Sequence, residues 1–218
     1  MTSLLAPRIW LGCLVDHQAG VPAPQLSPQE WAWGESLAPL RRHTYWQSRI
    51  RLRRWLAGLF SCDPLAVPLV SPPGQPPRLE DGWGWLSLSH SGDGLLMGCS
   101  AEPIGVDLEL GARRLAADGL MRRFFPAAEV RQLEPLALEA RRQAVLTSWV
   151  LKEAAIKWRR SSLAADLPHW CLDHRAGRLT HGELGLQPDG RCGTAGRWRW
   201  AVVGGGLATM QLDRDDLP

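Results

Sequence analysis

The sequence predicts an α+β protein built as two similar halves, and three observations predict it. Its patterned segments run strand, helix, strands, and then strand, helix, strands again. Each run carries one long helix studded with basic residues. A turn at Ala101-Glu102-Pro103 joins the runs near residues 100–104, dividing the 218 residues into 1–102 and 103–218. Halves of this kind commonly bind ligands where they meet.

Residues 8–15, "RIWLGCLV", form the first expected strand, and the Pro-rich "VPAPQLSP" leads to a helical zone from Pro28. Between Thr44 and Phe60, Tyr45, Leu52, Leu56 and Leu59 make a helical stripe with arginines between them. The stretch 61–79 reads as loop because Pro64, Pro68 and "SPPGQPP" block regular structure. "WGWLSLSH" (83–90) alternates as a strand with Leu86, Leu88 and His90 on one face. Gly92-Asp93-Gly94 turns it into "LLMGCS", and "IGVDLEL" (104–110) follows as the third strand of an expected meander. Pro126 breaks "MRRFFPAAEVRQL" and suits a helix start, and 139–160 is the strongest helix of the chain. Short strands close the sequence, notably in "WCLDH", "GRLTH", "RWRWAVVG" and "LATMQL".

A chain that is 45% hydrophobic and 22% charged folds as a globular protein rather than staying disordered. The net charge of +3 suits an acidic partner or a phosphorylated ligand, but is too small to argue for a nucleic-acid scaffold. Five scattered cysteines without a Cys-x-x-Cys pair read as reduced thiols. The start lacks a signal-peptide pattern, and no stretch approaches the roughly 20 apolar residues that span a bilayer. A cytoplasmic protein without membrane contact is expected.

Four constellations carry chemistry. In "IGVDLEL" alternation sends Ile104, Val106, Leu108 and Leu110 to one face, and Gly105, Asp107 and Glu109 to the other. Two carboxylates about 7 Å apart on a half-buried face call for a cation, and oxygen ligands suit Mg²⁺; a solvated acidic face reads the same. In "SWVLKEAAIKW", Trp149, Glu153 and Lys157 share one helix face, with Lys152 about 100° away from Glu153. A surface Glu–Lys pair would look similar, but the apolar neighbours leave little solvated face. His90 ends a strand between Ser89 and Ser91, whose hydroxyls can donate to an anion. Arg49 and Arg53, one turn apart on the arginine helix, suit phosphate.

Taken in order and spacing, "PPGQPP", "SLSHSG", "GVDLE" and "WVLKEAAIK" resemble the 4′-phosphopantetheinyl transferase superfamily, specifically its longer, pseudo-dimeric Sfp-type branch. The likeness also takes in "SRIRLRRWLA" and "RRFFPAAEV" and covers most of the chain. It implies two halves related by a pseudo-twofold axis with the active site in the cleft between them. It also implies a monomer that moves the phosphopantetheine arm of coenzyme A onto a serine of an acyl or peptidyl carrier protein, releasing 3′,5′-ADP. Carried over by motif position, Asp107 and Glu109 bind Mg²⁺, and Glu153 is the third ligand, the general base, or both. Lys157 contacts the phosphate under attack. Ser89 and His90 bind coenzyme A phosphates, and Arg49 and Arg53 line the same region.

Two departures bear on these expectations. The family commonly has a lysine where Gln75 stands, with Arg78 nearby as a substitute, and a glycine-containing loop where this chain continues "WRRSSLAADLP". Gln75 leaves open a non-catalytic relative that binds coenzyme A or a carrier protein; the arginine helix leaves open a nucleic-acid module, although stacking and groove motifs are missing. Carrier proteins are acidic, and Arg113, Arg114, Arg122, Arg123, Phe124 and Phe125 are the expected docking residues, with core packing the alternative for at least one ring.

Overall fold

The structure, a computed structural model, describes residues 6–14, 25–112 and 116–215. The first half opens with strand β1 (Arg8–Cys13), helix α1 (Pro28–Glu35) and helix α2 (Pro39–Phe60). A hairpin of β2 (Leu69–Val70) and β3 (Arg78–Leu79) follows, then β4 (Trp85–Ser91) and β5 (Gly94–Ser100). The second half repeats that order: β6 (Ile104–Leu110), helices α3 (Ala117–Phe124), α4 (Ala127–Leu133) and α5 (Leu138–Arg159), and a short α6 (Leu163–Asp166). It continues with a hairpin of β7 (Trp170–Asp173) and β8 (Arg178–His181), then β9 (Gly190–Ala195) and β10 (Trp198–Gly204). A last strand, β11 (Gln211–Arg214), returns to the first sheet and runs parallel to β1.

Local chemistry explains the helix starts. Ser27 and Glu30 form a reciprocal capping box on α1, with Pro28 in the first turn, and Pro39 opens α2. Pro126 breaks α3 from α4, as the sequence suggests.

The strand orders are β11-β1-β5-β4 and β6-β10-β9, so both halves share the antiparallel pattern of first strand, last strand, next-to-last strand. The expected meander of three strands through residues 83–110 is therefore corrected. Strand β6 leaves β5 and pairs with β10, whose Ala201 stands opposite Asp107. The reason is burial: only face-to-face stacking of the two sheets lets Ile104, Val106 and Leu108 pack on Ile9, Leu11 and Leu96. The two long helices cover the outer faces. Leu52 and Leu56 of α2 pack on Trp10, Leu95 and Met97, and Val150, Leu151 and Ala154 of α5 pack with Ala201 and Val203. Among the described residues, no helix is long and apolar enough to cross a membrane.

Candidate active site

Gly105 decides how close helix and strand can come. A Cβ there would overlap the Ala154 carbonyl oxygen and the Trp158 amide, so only glycine lets α5 lie directly on β6. That approach carries Glu153 and Lys157 over the next two outward residues of the strand, Asp107 and Glu109. Asp107 is 2% exposed. Its Oδ1 accepts from Lys157 Nζ at 2.6 Å and Ser89 Oγ at 2.8 Å, while its buried Oδ2 has no partner among the described residues. Glu109 Oε2 accepts from Ser91 Oγ at 3.1 Å.

Carboxylate oxygens of Asp107, Glu109 and Glu153 lie within 4.8 Å of one another. Carboxylates gathered this closely repel one another, and a divalent cation among them would relieve that repulsion. All three ligands are hard oxygens, and the orphaned Asp107 Oδ2 gives a buried acceptor that needs a positive neighbour. The residues fit Mg²⁺.

The serines of β4 fix this geometry. Ser87 Oγ accepts from the Val106 amide at 3.0 Å and Ser91 Oγ from the Leu110 amide at 3.1 Å, while Ser89 takes Lys157 Nζ at 2.9 Å and donates to Asp107. The alternating hydroxyls thus bind the edge strand of one sheet to the edge strand of the other, rather than waiting for an anion.

Opposite the acids, α2 and the loop at 73–77 complete a cleft of about 940 Å³. Its walls include Arg49, Gln75, Ser89, His90, all three carboxylates and Lys157. Arg49 is 6% exposed, lies 4.7 Å over the Tyr45 ring and donates to Ser48 Oγ at 3.0 Å. Burial lowers its pKa. His90 lies exposed on the wall, where desolvation, Lys157 and Arg49 hold it below the ordinary histidine value.

Residues 103–203, which contain the three carboxylates and Lys157, match the model of the 4′-phosphopantetheinyl transferase superfamily. A Synechocystis sp. protein named "Putative 4'-phosphopantetheinyl transferase slr0495" is 32% identical over 198 residues, covering 84% of this chain and 80% of that protein. The chain belongs to the 4′-phosphopantetheinyl transferase superfamily.

Not every residue assigned from the sequence stands at the transferase cleft. Arg53 is corrected: it is 3% exposed, its Nε donates to Glu30 at 2.7 Å, and one terminal nitrogen donates to the Pro64 and Val67 carbonyls. One helical turn from Arg49, it points into the packing between α1 and α2, because an internal carboxylate claims it. Arg78, exposed in the small hairpin, does not line the cleft, whereas Gln75 does. Lys152, set aside in the sequence as pointing away from Glu153, is fully buried against Glu129 at 2.7 Å.

Arg113 and Arg114 lie outside the described residues. Arg122 and Arg123 are exposed on α3, whereas Phe125 is buried with Met121, Leu133 and Val145 and so takes the core alternative. The cleft also contains Arg41, Thr44, Tyr45, Ser48 and Arg160, which the sequence reading did not assign to it. The first four recur with helical spacing on the face that carries Arg49 and could have been found from it. Arg160, three residues after Lys157, lies beyond the helix and carried no such signal.

Proposed function

We propose that this protein is a Mg²⁺-dependent, Sfp-type transferase. It moves 4′-phosphopantetheine from coenzyme A to a serine of an apo acyl or peptidyl carrier protein and releases 3′,5′-ADP. The gathering of three carboxylates within 4.8 Å beside Lys157, in a cleft with basic walls, carries this reading. The repeated order of strands supports two halves, 1–102 and 103–218, related by a pseudo-twofold axis; the resemblance implies a monomer, and the scattered cysteines suit the cytoplasm.

The step forms a bond from the carrier serine oxygen to the phosphorus bearing the pantetheine arm and breaks that phosphorus's bond to the 3′,5′-ADP oxygen. Asp107, Glu109 and Glu153 would hold Mg²⁺, which supplies charge neutralisation for the pyrophosphate. Glu153 accepts the serine proton; a carboxylate has two oxygens, so ligation by one leaves the other for this task. Lys157, placed by Asp107 and Ser89, offsets the charge on the phosphate under attack and on the leaving group. His90 and Arg49 position the coenzyme phosphates, Ser89 acts through Lys157 and Asp107, and burial of the reacting groups strengthens each contact.

The test is incubation with coenzyme A, Mg²⁺ and a panel of apo-carriers, read by intact mass. The wild type adds one phosphopantetheinyl group to at least one carrier, and Asp107→Asn or Glu153→Gln slows the transfer by about 100-fold or more. Near-full transfer by either variant would overturn the mechanism. Gln75 on the cleft wall, where the resemblance expects a lysine, favours a second reading, a non-catalytic binder. That reading requires coenzyme A or carrier binding with no mass gain on any carrier.

A further inference from the structure

Helix α5 closes at Arg160, whose backbone is left-handed at φ 55° and ψ 38°, with its amide on the Ile156 and Lys157 carbonyls. This conformation favours glycine. Helix α2 closes in the same way on Ser61 at φ 53°, so the bend belongs to the framework and the side chain placed on it is what differs. Ser61 lies away from the cleft; Arg160 lines it. The Arg160 guanidinium lies 4.4 Å from the centroid of the Trp85 ring. Among the described residues, no carboxylate or carbonyl takes its donors.

The other cations of the cleft are placed differently. Arg49 donates to the Ser71 carbonyl and to Ser48, and Lys157 donates to Asp107 and Ser89. Arg41 is exposed on α2, with no ring or acidic partner holding it among the described residues. The loop at 73–77 offers Gln75 and no charge. Arg160, exposed on the cleft wall, combines a ring contact with donors that are all uncommitted among the described residues, whereas Arg49 and Lys157 each have part of theirs engaged. A guanidinium resting against an indole ring keeps N–H donors available and loses less side-chain freedom on meeting an oxyanion than an unsupported one.

We propose that Arg160, held on Trp85, contacts a phosphate of the coenzyme and supplies the positive charge that the Gln75 loop lacks. This rests on the transferase reading above. The competing role is purely structural: a cation at the C-terminal end of a helix offsets the helix dipole.

Arg160→Gly separates the two roles, because glycine accepts the left-handed backbone while the guanidinium is removed. The melting temperature is expected to hold or rise. The KM for coenzyme A and the calorimetric Kd for 3′,5′-ADP should each rise about tenfold, and kcat should fall less than about twofold. Arg160→Lys, which keeps charge without the planar fork of donors, should fall between, as should Trp85→Leu, which removes the ring contact. Unchanged KM and Kd in Arg160→Gly, with or without a loss of stability, would leave only the dipole role and sink the proposal. A wild type that binds neither coenzyme A nor 3′,5′-ADP would instead bring down the transferase reading, and this proposal with it.

Discussion

The two halves share a plan and differ in what faces the long helix. In the first, the outward residues Trp10 and Leu14 at β1 pack beneath α2. In the second, the outward residues of β6 beneath α5 are Gly105, Asp107 and Glu109. Both long helices also bury a basic residue against a glutamate from a preceding short helix: Arg53 with Glu30 in one half, Lys152 with Glu129 in the other, all 3% exposed or less. The comparison teaches that a buried ion pair is part of the common framework, whereas the acidic strand face is particular to the half that gathers the three carboxylates. It also explains why Arg53 was misplaced in the sequence. Its neighbour Arg49 serves the cleft, and nothing local distinguishes an arginine aimed at a ligand from one aimed at a carboxylate 23 residues earlier.

The sharpest way to break the comparison is at the glycine. Gly105→Ala should force α5 off its strand, costing about 3 kcal/mol of stability and slowing transfer by about 100-fold through displacement of Glu153 and Lys157. In the first half, Gly12→Ala meets the edge of the Trp10 ring and the Asp215 side chain, which can move, so a loss of about 1 kcal/mol with transfer intact is expected. Equal effects on transfer would show that helix placement in the second half has no special role. Thermal denaturation and the mass assay read both variants.

The buried pairs come next. Arg53→Met leaves the buried Glu30 charge with only the Ser27 amide and hydroxyl and strands two carbonyls, and should cost about 3–5 kcal/mol in denaturant titration. Lys152→Met should cost less, because Glu129 keeps the Leu172 amide and, unlike the Arg53 change, no carbonyl among the described residues loses a donor. Burial tends to raise the Glu129 pKa, but His174, Lys152 and Ser148 outweigh it, and the net shift is downward. A lowered carboxylate contributes stability above its unfolded value that is lost as pH falls through the folded one. Acid should therefore destabilise the wild type more than Lys152→Met.

The smallest effect concerns His90, whose lowered pKa means that the folded protein resists its protonation. As pH falls below about 6.5, this resistance costs stability down to the lowered folded value. Anionic phosphates beside the ring reverse the preference. Coenzyme A binding should therefore take up protons between the lowered and the raised histidine values and tighten as pH falls. Calorimetry in buffers of different ionisation enthalpy measures the uptake. His90→Gln should abolish it, and an unchanged uptake would place the titrating group elsewhere.

Much of the site was legible because it depends on local periodicity. Alternation put Asp107 and Glu109 together, and helical spacing put Glu153 and Lys157 on one face, so each pair needed only its own element. The pairing of β6 was not legible, since its partner β10 lies about 90 residues away and no turn announces it. Strand β9, "GRCGTA", was missed because a largely exposed, glycine-bearing edge shows no apolar alternation. The serines of "SLSHS" were noticed for their hydroxyls but assigned to an anion; only the neighbouring strand shows where those hydroxyls go.

Those serines have a further consequence. Strands β4 and β6 each end a sheet, and a bare sheet end offers its amides to any passing extended chain. Here Ser87 and Ser91 occupy the Val106 and Leu110 amides, and α5 roofs the same strand. The seam that shapes the candidate site thereby closes an open margin of the sheet to growth by strand addition, so resistance to self-assembly and the aim of the acidic residues depend on the same few hydroxyls.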